Sequence, residues 1–226
     1  MGTTRGYVFV WKEEGFSREE IQPALLRVLA GLALGRQQEH EAKKAMVRAF
    51  ALESGMPDEM LWEPFLLPGS PEAWACYRPD ARWLAVNDNV TECGTNEPEI
   101  SMETAELYAE FFGVPALVCS VYDSGFSTWA YVHPGVRLRA YRLGGWPLEY
   151  FDHCTREQRQ MPDFLCPFLT SAEVGQLEKL WLERFACEED RIAGLARLLH
   201  TCLYDREMGD PPADVELLQV QTDKPE

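Results

Sequence analysis

The chain lacks any long uninterrupted apolar stretch, which argues against an integral membrane protein. No run approaches the roughly 18 apolar residues that a bilayer-spanning helix needs. The longest apolar helical stretch, residues 24–34, is interrupted by Arg27. The first residues also lack the basic segment and apolar stretch of a secretory signal. We therefore expect a cytoplasmic protein that makes no use of a membrane.

Closely spaced pairs of metal-binding or disulfide-forming residues are also missing. The chain has 7 cysteines and 4 histidines, and none of them forms a C-x-x-C or H-E-x-x-H pattern. Zinc sites need paired ligands at short spacing, and a disulfide framework is typical of small secreted chains. We expect reduced thiols that act as small apolar side chains, with no metal and no cofactor.

Positive charge is scarce in one part of the sequence. The whole chain has 37 acidic and 21 basic residues, and residues 53–123 contain only Arg78 and Arg82 against 14 carboxylates. Such a segment repels nucleic acid and anionic lipid, and it attracts basic partners. We therefore expect no nucleic-acid binding. The charge can serve a basic protein partner, or it can simply form a solvated, solubilising surface.

The pattern of apolar residues predicts a single α+β domain over residues 1–226. An antiparallel sheet of about five strands is expected, with the helices at 17–34, 39–53 and 171–200 packed on one face. Capping-box patterns begin helices at Ser17 and Thr170, and glycines end the first two helices, at Gly35 and Gly55. Tight turns after Asp123 and His133 favour antiparallel neighbours, and a doubly wound parallel sheet is the alternative. The predicted strands are 6–12, 82–87, 116–122, 126–132 and 136–143.

Two further segments have distinctive compositions. Residues 56–80 contain 5 prolines between bulky apolar side chains, which predicts an irregular but ordered segment lying over the core. Residues 205–226 are acidic and contain proline, which predicts a loosely held tail.

The sequence contains no signature of catalysis. No nucleophile elbow, phosphate-binding loop or dinucleotide fingerprint is present. Asp152, His153 and Cys154 are adjacent, but neighbouring side chains usually point in different directions and rarely form a catalytic set. We predict no catalytic residues, and the alternative is a small enzyme with a hydrolase-type site that uses Asp123, His153 or Cys154.

The hairpin at Val121–Phe126 resembles an arrangement found in small bacterial proteins encoded near polymorphic toxins. A strand ends in Asp123 and Ser124, and a second apolar strand and another turn follow. The resemblance covers about residues 82–145 and differs at Gly125, where a second acidic residue is common. It implies an immunity function but assigns no functional residue.

These observations together predict an immunity or inhibitor protein that blocks a basic, nuclease-like toxin. Its carboxylates would occupy the basic cleft of the toxin, and exposed aromatic side chains would anchor the complex. A second alternative is an adaptor or assembly subunit that uses residues 56–80. The predicted partner-binding residues are Glu92, Glu97, Glu99, Glu103, Glu106, Glu110, Trp62 and Trp74. A helix is expected over residues 102–112, and the spacing of three or four residues would place Glu99, Glu103, Glu106 and Glu110 on one helical face.

Overall fold

A seven-stranded antiparallel sheet forms the centre of the structure, with strand order β6-β5-β4-β1-β3-β2-β7. The computed structural model describes residues 5–55, 57, 70–92, 98–122, 126–134, 136–144, 163–183, 185, 187–204 and 211–223. The strands are β1 (Arg5–Trp11), β2 (Glu72–Tyr77), β3 (Trp83–Asp88), β4 (Ala116–Tyr122), β5 (Phe126–His133), β6 (Val136–Gly144) and β7 (Glu216–Gln221). The predicted α+β class and antiparallel sheet are confirmed, with two more strands than predicted.

The two unpredicted strands lie in segments that were expected to be irregular or loose. β2 fits between Pro71 and Pro79, so the prolines bound the strand and do not interrupt it. β7 pairs with β2 along its whole length, which contradicts the prediction of a loosely held tail for that part of residues 205–226. Leu218 and Val220 alternate with exposed polar residues and bury one side of this edge strand.

Helices lie on both faces of the sheet, so the prediction that they pack on one face is wrong. In β1, Val8 and Val10 point into one core cluster, while Tyr7 and Phe9 point into another. Since alternate residues of a strand face opposite sides, a strand that is apolar at every position needs cover on both faces. The helices are α1 (Arg18–Ser54), α2 (Asn89–Glu92), α3 (Pro98–Phe112), α4 (Ser171–Leu182) and α5 (Glu188–Leu198), with a short 3-10 helix at Asp163–Phe168.

Helix α1 is continuous, although the sequence predicted a break at Gly35. It spans 37 residues and is therefore about 55 Å long. Glu39 forms ion pairs with Arg36, three residues before it, and with Lys43, four residues after it, which supports the turns after the glycine. The predicted capping box at Ser17 and the predicted end at Gly55, which has a φ of 65°, are confirmed. None of the helices in the described ranges combines the length and the apolar composition required to cross a bilayer.

A buried ion pair joins α4 and α5 to each other and to the sheet. Glu188 and Arg191 are 2% and 3% exposed, and the guanidinium Nε lies 2.8 Å from the carboxylate. Ser127 of β5 donates a hydrogen bond of 2.9 Å to the same carboxylate. Arg191 also donates to the backbone carbonyls at the end of α4, namely those of Leu180, Trp181 and Glu183. These bonds satisfy carbonyls that have no partner within the helix.

Candidate functional site

The acidic face of α3, defined as Glu103, Glu106 and Glu110, is the described part of the predicted binding segment. The opposite side of α3 is buried by Met102, Ala105, Tyr108 and Ala109. Glu103 and Glu110 are exposed, and Glu106 is half-buried. The predicted helical arrangement of these carboxylates is therefore confirmed.

The other predicted binding residues have different positions. Glu92 ends α2, Glu99 lies in the first turn of α3, and Glu97 and Trp62 fall outside the described residues. Trp74 was predicted as an exposed anchor, but it is 4% exposed within β2. Its ring packs near that of Tyr204, with the centroids 6.4 Å apart. Trp74 is therefore a core residue and is removed from the candidate site.

The acidic face reduces the intrinsic stability of α3. The helix contains no lysine or arginine, and its glutamates are three or four positions apart. Like charges at these spacings destabilise a helix by about 0.2–0.5 kcal/mol per pair. Glu110 also lies in the last turn, where the helix dipole disfavours negative charge. Tertiary packing on the opposite side of α3 must offset these costs.

A buried hydrogen-bond network fixes α3 against the sheet beneath the acidic face. The Tyr108 hydroxyl donates to Asp88 Oδ2 at 2.6 Å, and the Thr91 hydroxyl donates to the same oxygen at 2.8 Å. Burial raises the pKa of Asp88, and the hydrogen bonds from Tyr108 and Thr91 oppose that shift. Burial and the nearby Asp88 raise the pKa of Tyr108 well above its usual value. The network links the end of β3 to both α2 and α3.

A cleft between α4 and α5, on the other face of the sheet, is a second candidate site. It encloses about 340 Å³ and contains a contact of 2.8 Å between His200 Nε2 and Glu173 Oε1. His200 has a φ of 54°, in the left-handed region that is unusual for a residue other than glycine. The lining residues are Glu173, Gln176, Leu180, Gly194, Arg197, Leu198 and His200.

The cleft brings a carboxylate, an imidazole and the Arg197 guanidinium to one place. None of the described residues that line it has a hydroxyl or thiol nucleophile. Glu173 accepts hydrogen bonds from the backbone N–H and hydroxyl of Thr170, and these two bonds and His200 lower its pKa to about 2. The capping box at 170–173 was predicted, but the contact with His200 joins residues 27 positions apart and left no signal in the sequence.

Removing the Thr170 hydroxyl should raise the pKa of Glu173. We expect Thr170→Ala to shift it from about 2 toward the ordinary value of 4.5, because one donor to the carboxylate is lost while the backbone N–H remains. A lowered folded-state pKa contributes stability above the unfolded pKa and loses it as the pH falls through the folded pKa. In the wild type this window therefore runs from about 4.5 down to about 2. Carboxyl-detected NMR titration of both proteins measures the shift, and an unchanged pKa would contradict it.

The described residues give no further indication of a catalytic or metal site. Asp123, His153 and Cys154, the alternative catalytic residues, lie outside the described ranges. Among the described residues, no three histidine, cysteine, aspartate or glutamate side chains are grouped so that they could hold a metal ion. Comparison of the chain with protein-family models, curated proteins and solved structures finds no match. The function must therefore be argued from the chain's own residues.

Proposed function

We propose that the chain is an immunity or inhibitor protein that covers a basic site on a toxin with the acidic face of α3. The supporting observation is that Glu103 and Glu110 are exposed on a helix without any basic residue. A merely solubilising helix surface can intersperse lysines and gain from ion pairs, whereas α3 itself carries neither lysine nor arginine. A basic partner would supply the positive charge that the helix lacks.

Rigidity of the face supports inhibition by simple blockade. Tyr108 projects from the underside of α3 into the buried network with Asp88, so the carboxylates are held on a fixed helix. Glu103 and Glu110 are seven residues apart, which corresponds to about 10 Å along the helix axis. A preordered surface loses little conformational entropy on binding and retains more of its interaction energy as affinity. The resemblance of residues 82–145 to immunity proteins points to the same function.

Charge reversal on α3 tests the proposal directly. The probe is a panel of purified basic nuclease domains of bacterial toxins, each titrated with the protein while nuclease activity is followed. We expect blockade at one-to-one stoichiometry by the wild type. Glu103→Lys/Glu110→Lys should weaken inhibition by roughly 10-fold or more, because like charges then face each other across the interface. Raising the salt concentration should weaken the wild-type complex.

A matched double variant separates the acidic face from overall charge. Glu178→Lys/Glu183→Lys changes the net charge by the same amount, at exposed residues in and just after α4 on the other face of the sheet. This control should inhibit as the wild type does. Equal loss in both variants, or no loss in either, would sink the proposed role of α3.

A small enzyme or ligand-binding protein is the second candidate, favoured by the Glu173–His200 contact in the α4–α5 cleft. The Glu173 carboxylate contacts the His200 imidazole in the cleft. The left-handed φ of His200 ends α5, because the N–H groups of His200 and Thr201 donate to carbonyls of its last turn. Ligand-induced NMR shifts centred on His200 and Arg197, with none at α3, would favour this function.

A further inference from the structure

Strand β2 and the segment that follows α5 face each other through alternate side chains. The Trp74 and Tyr204 rings lie 6.4 Å apart at one end of this contact. At the other end, Arg78 Nη1 donates a hydrogen bond of 3.4 Å to the His200 carbonyl. The central position brings together Cys76 and Cys202, which pack in the same core cluster, and each thiol shifts the pKa of the other. The two segments therefore hold this thiol pair in place from both sides.

The two thiols have different environments. Cys76 is 3% exposed, whereas Cys202 is half-buried, and neither is in a disulfide. The contact with Cys76 lowers the pKa of Cys202, and the Arg78 guanidinium lowers it further. The same contact, together with burial, raises the pKa of Cys76. Asp214 holds the guanidinium through an ion pair of 2.8 Å.

The other two half-buried cysteines of the described chain differ from Cys202. Burial and the nearby Asp163 raise the pKa of Cys166. Burial and the hydrogen bond to Glu189 raise the pKa of Cys187. Since the thiolate is the reactive form of cysteine, Cys202 has the more favourable environment for reaction with an oxidant.

We propose that Cys76 and Cys202 form a thiol–disulfide site in which Cys202 reacts with hydrogen peroxide and Cys76 resolves the product. The Cys202 sulfur attacks one peroxide oxygen, and the O–O bond breaks. The leaving hydroxide takes up the proton released from the Cys202 thiol and becomes water. Cys202 is then a sulfenic acid. The Cys76 sulfur attacks the Cys202 sulfur, the S–O bond breaks, and the oxygen leaves as water with the Cys76 proton. Two thiols are oxidised to one disulfide while one peroxide is reduced to two waters.

The disulfide would fasten the segment after α5 to β2. This segment includes His200, so the bond would also restrict one wall of the α4–α5 cleft. The crosslink closes a long loop of the chain, and crosslinks of this kind reduce the entropy of the unfolded state. The oxidised protein should therefore unfold at a higher temperature than the reduced protein. This site is independent of partner binding by α3.

Peroxide treatment of the reduced full-length protein tests the site. Non-reducing peptide mass spectrometry should find the Cys76 and Cys202 peptides joined with the loss of two hydrogen atoms, and dithiothreitol should reverse the change. Cys202 should be consumed roughly tenfold faster than Cys166 or Cys187, because reactivity follows thiolate content and access. The rise in melting temperature should appear only after oxidation.

Single variants assign the two roles. Cys76→Ala should leave a sulfenic acid on Cys202 that dimedone traps, and Cys202→Ser should leave Cys76 reduced. Cys187→Ser, the control, should still form the disulfide. The proposal is overturned if wild-type Cys202 proceeds to sulfinic acid while Cys76 remains a thiol, or if Cys166 and Cys187 react as fast as Cys202. Both measurements use the wild type, so a folding defect in Cys76→Ala does not prevent the test.

Discussion

Replacing Arg191 with methionine should lower the free energy of unfolding by about 3–5 kcal/mol, the cost of leaving one member of a buried ion pair unpaired. Glu188 is 2% exposed. The variant removes both hydrogen bonds that Arg191 donates to the Glu188 carboxylate. Of the hydrogen bonds described for that carboxylate, the one from Ser127 would remain. The carbonyls at the end of α4 would also lose their donor. Chemical denaturation followed by circular dichroism measures the loss.

Two further variants show whether the unpaired charge causes this loss. Arg197→Met, an exposed position on the same helix, should change stability by less than about 0.5 kcal/mol. Glu188→Gln/Arg191→Met should lose less than the sum of the two single changes, because it leaves no unpaired buried charge. If Arg191→Met is as stable as Arg197→Met, the Glu188–Arg191 ion pair contributes nothing to the stability of the fold.

Replacing Tyr108 with phenylalanine should cost about 1–3 kcal/mol, because the buried Asp88 side chain loses a hydrogen-bond partner. Burial already raises the pKa of Asp88, and the Tyr108 hydroxyl opposes that rise. Because the folded-state pKa of Asp88 is raised, Asp88 contributes most to the stability of the fold below its unfolded pKa of about 3.8. That contribution is lost as the pH rises through the folded-state pKa. The variant raises the folded pKa further, so its penalty should grow as the pH rises above about 3.8.

Denaturation of the wild type and the variant at a series of pH values measures this penalty. Tyr131→Phe provides the control, since burial alone raises the pKa of Tyr131 to about 12. Its effect should not change over the same pH interval. A penalty for Tyr108→Phe that is equally independent of pH would mean that the hydroxyl does not act through Asp88.

Local patterns in the sequence predicted the elements whose signals lie within a few residues. β4 has the predicted bounds, β5 and β6 extend the predictions by one residue each, and the capping boxes at Ser17 and Thr170 are present. Turn residues and alternation of apolar side chains determine these features locally. The helical face of Glu103, Glu106 and Glu110 was predictable for the same reason.

Features that depend on distant parts of the chain were not predicted. β2 becomes a strand because β3 and β7 pair with its two edges, and β7 comes from residues more than a hundred positions later. The proline content around β2 obscured its alternation of small and large side chains. Trp74 was placed on the surface for this reason, and the contact between Cys76 and Cys202 had no local signal. Both faces of the sheet needed cover, and the unbroken apolar run from Tyr7 to Trp11 in β1 already indicated it.

The position of β7 at the edge of the sheet has a consequence for synthesis of the protein on the ribosome. Among the residues that the structure describes, six strands precede β7 in the chain, and β2 is its one strand neighbour. While residues 216–221 are still within the exit tunnel, the emerged nascent chain presents one edge of β2 without a partner. Unpaired strand edges favour association between chains. The interval before β7 emerges is therefore when a nascent-chain chaperone would protect this protein most.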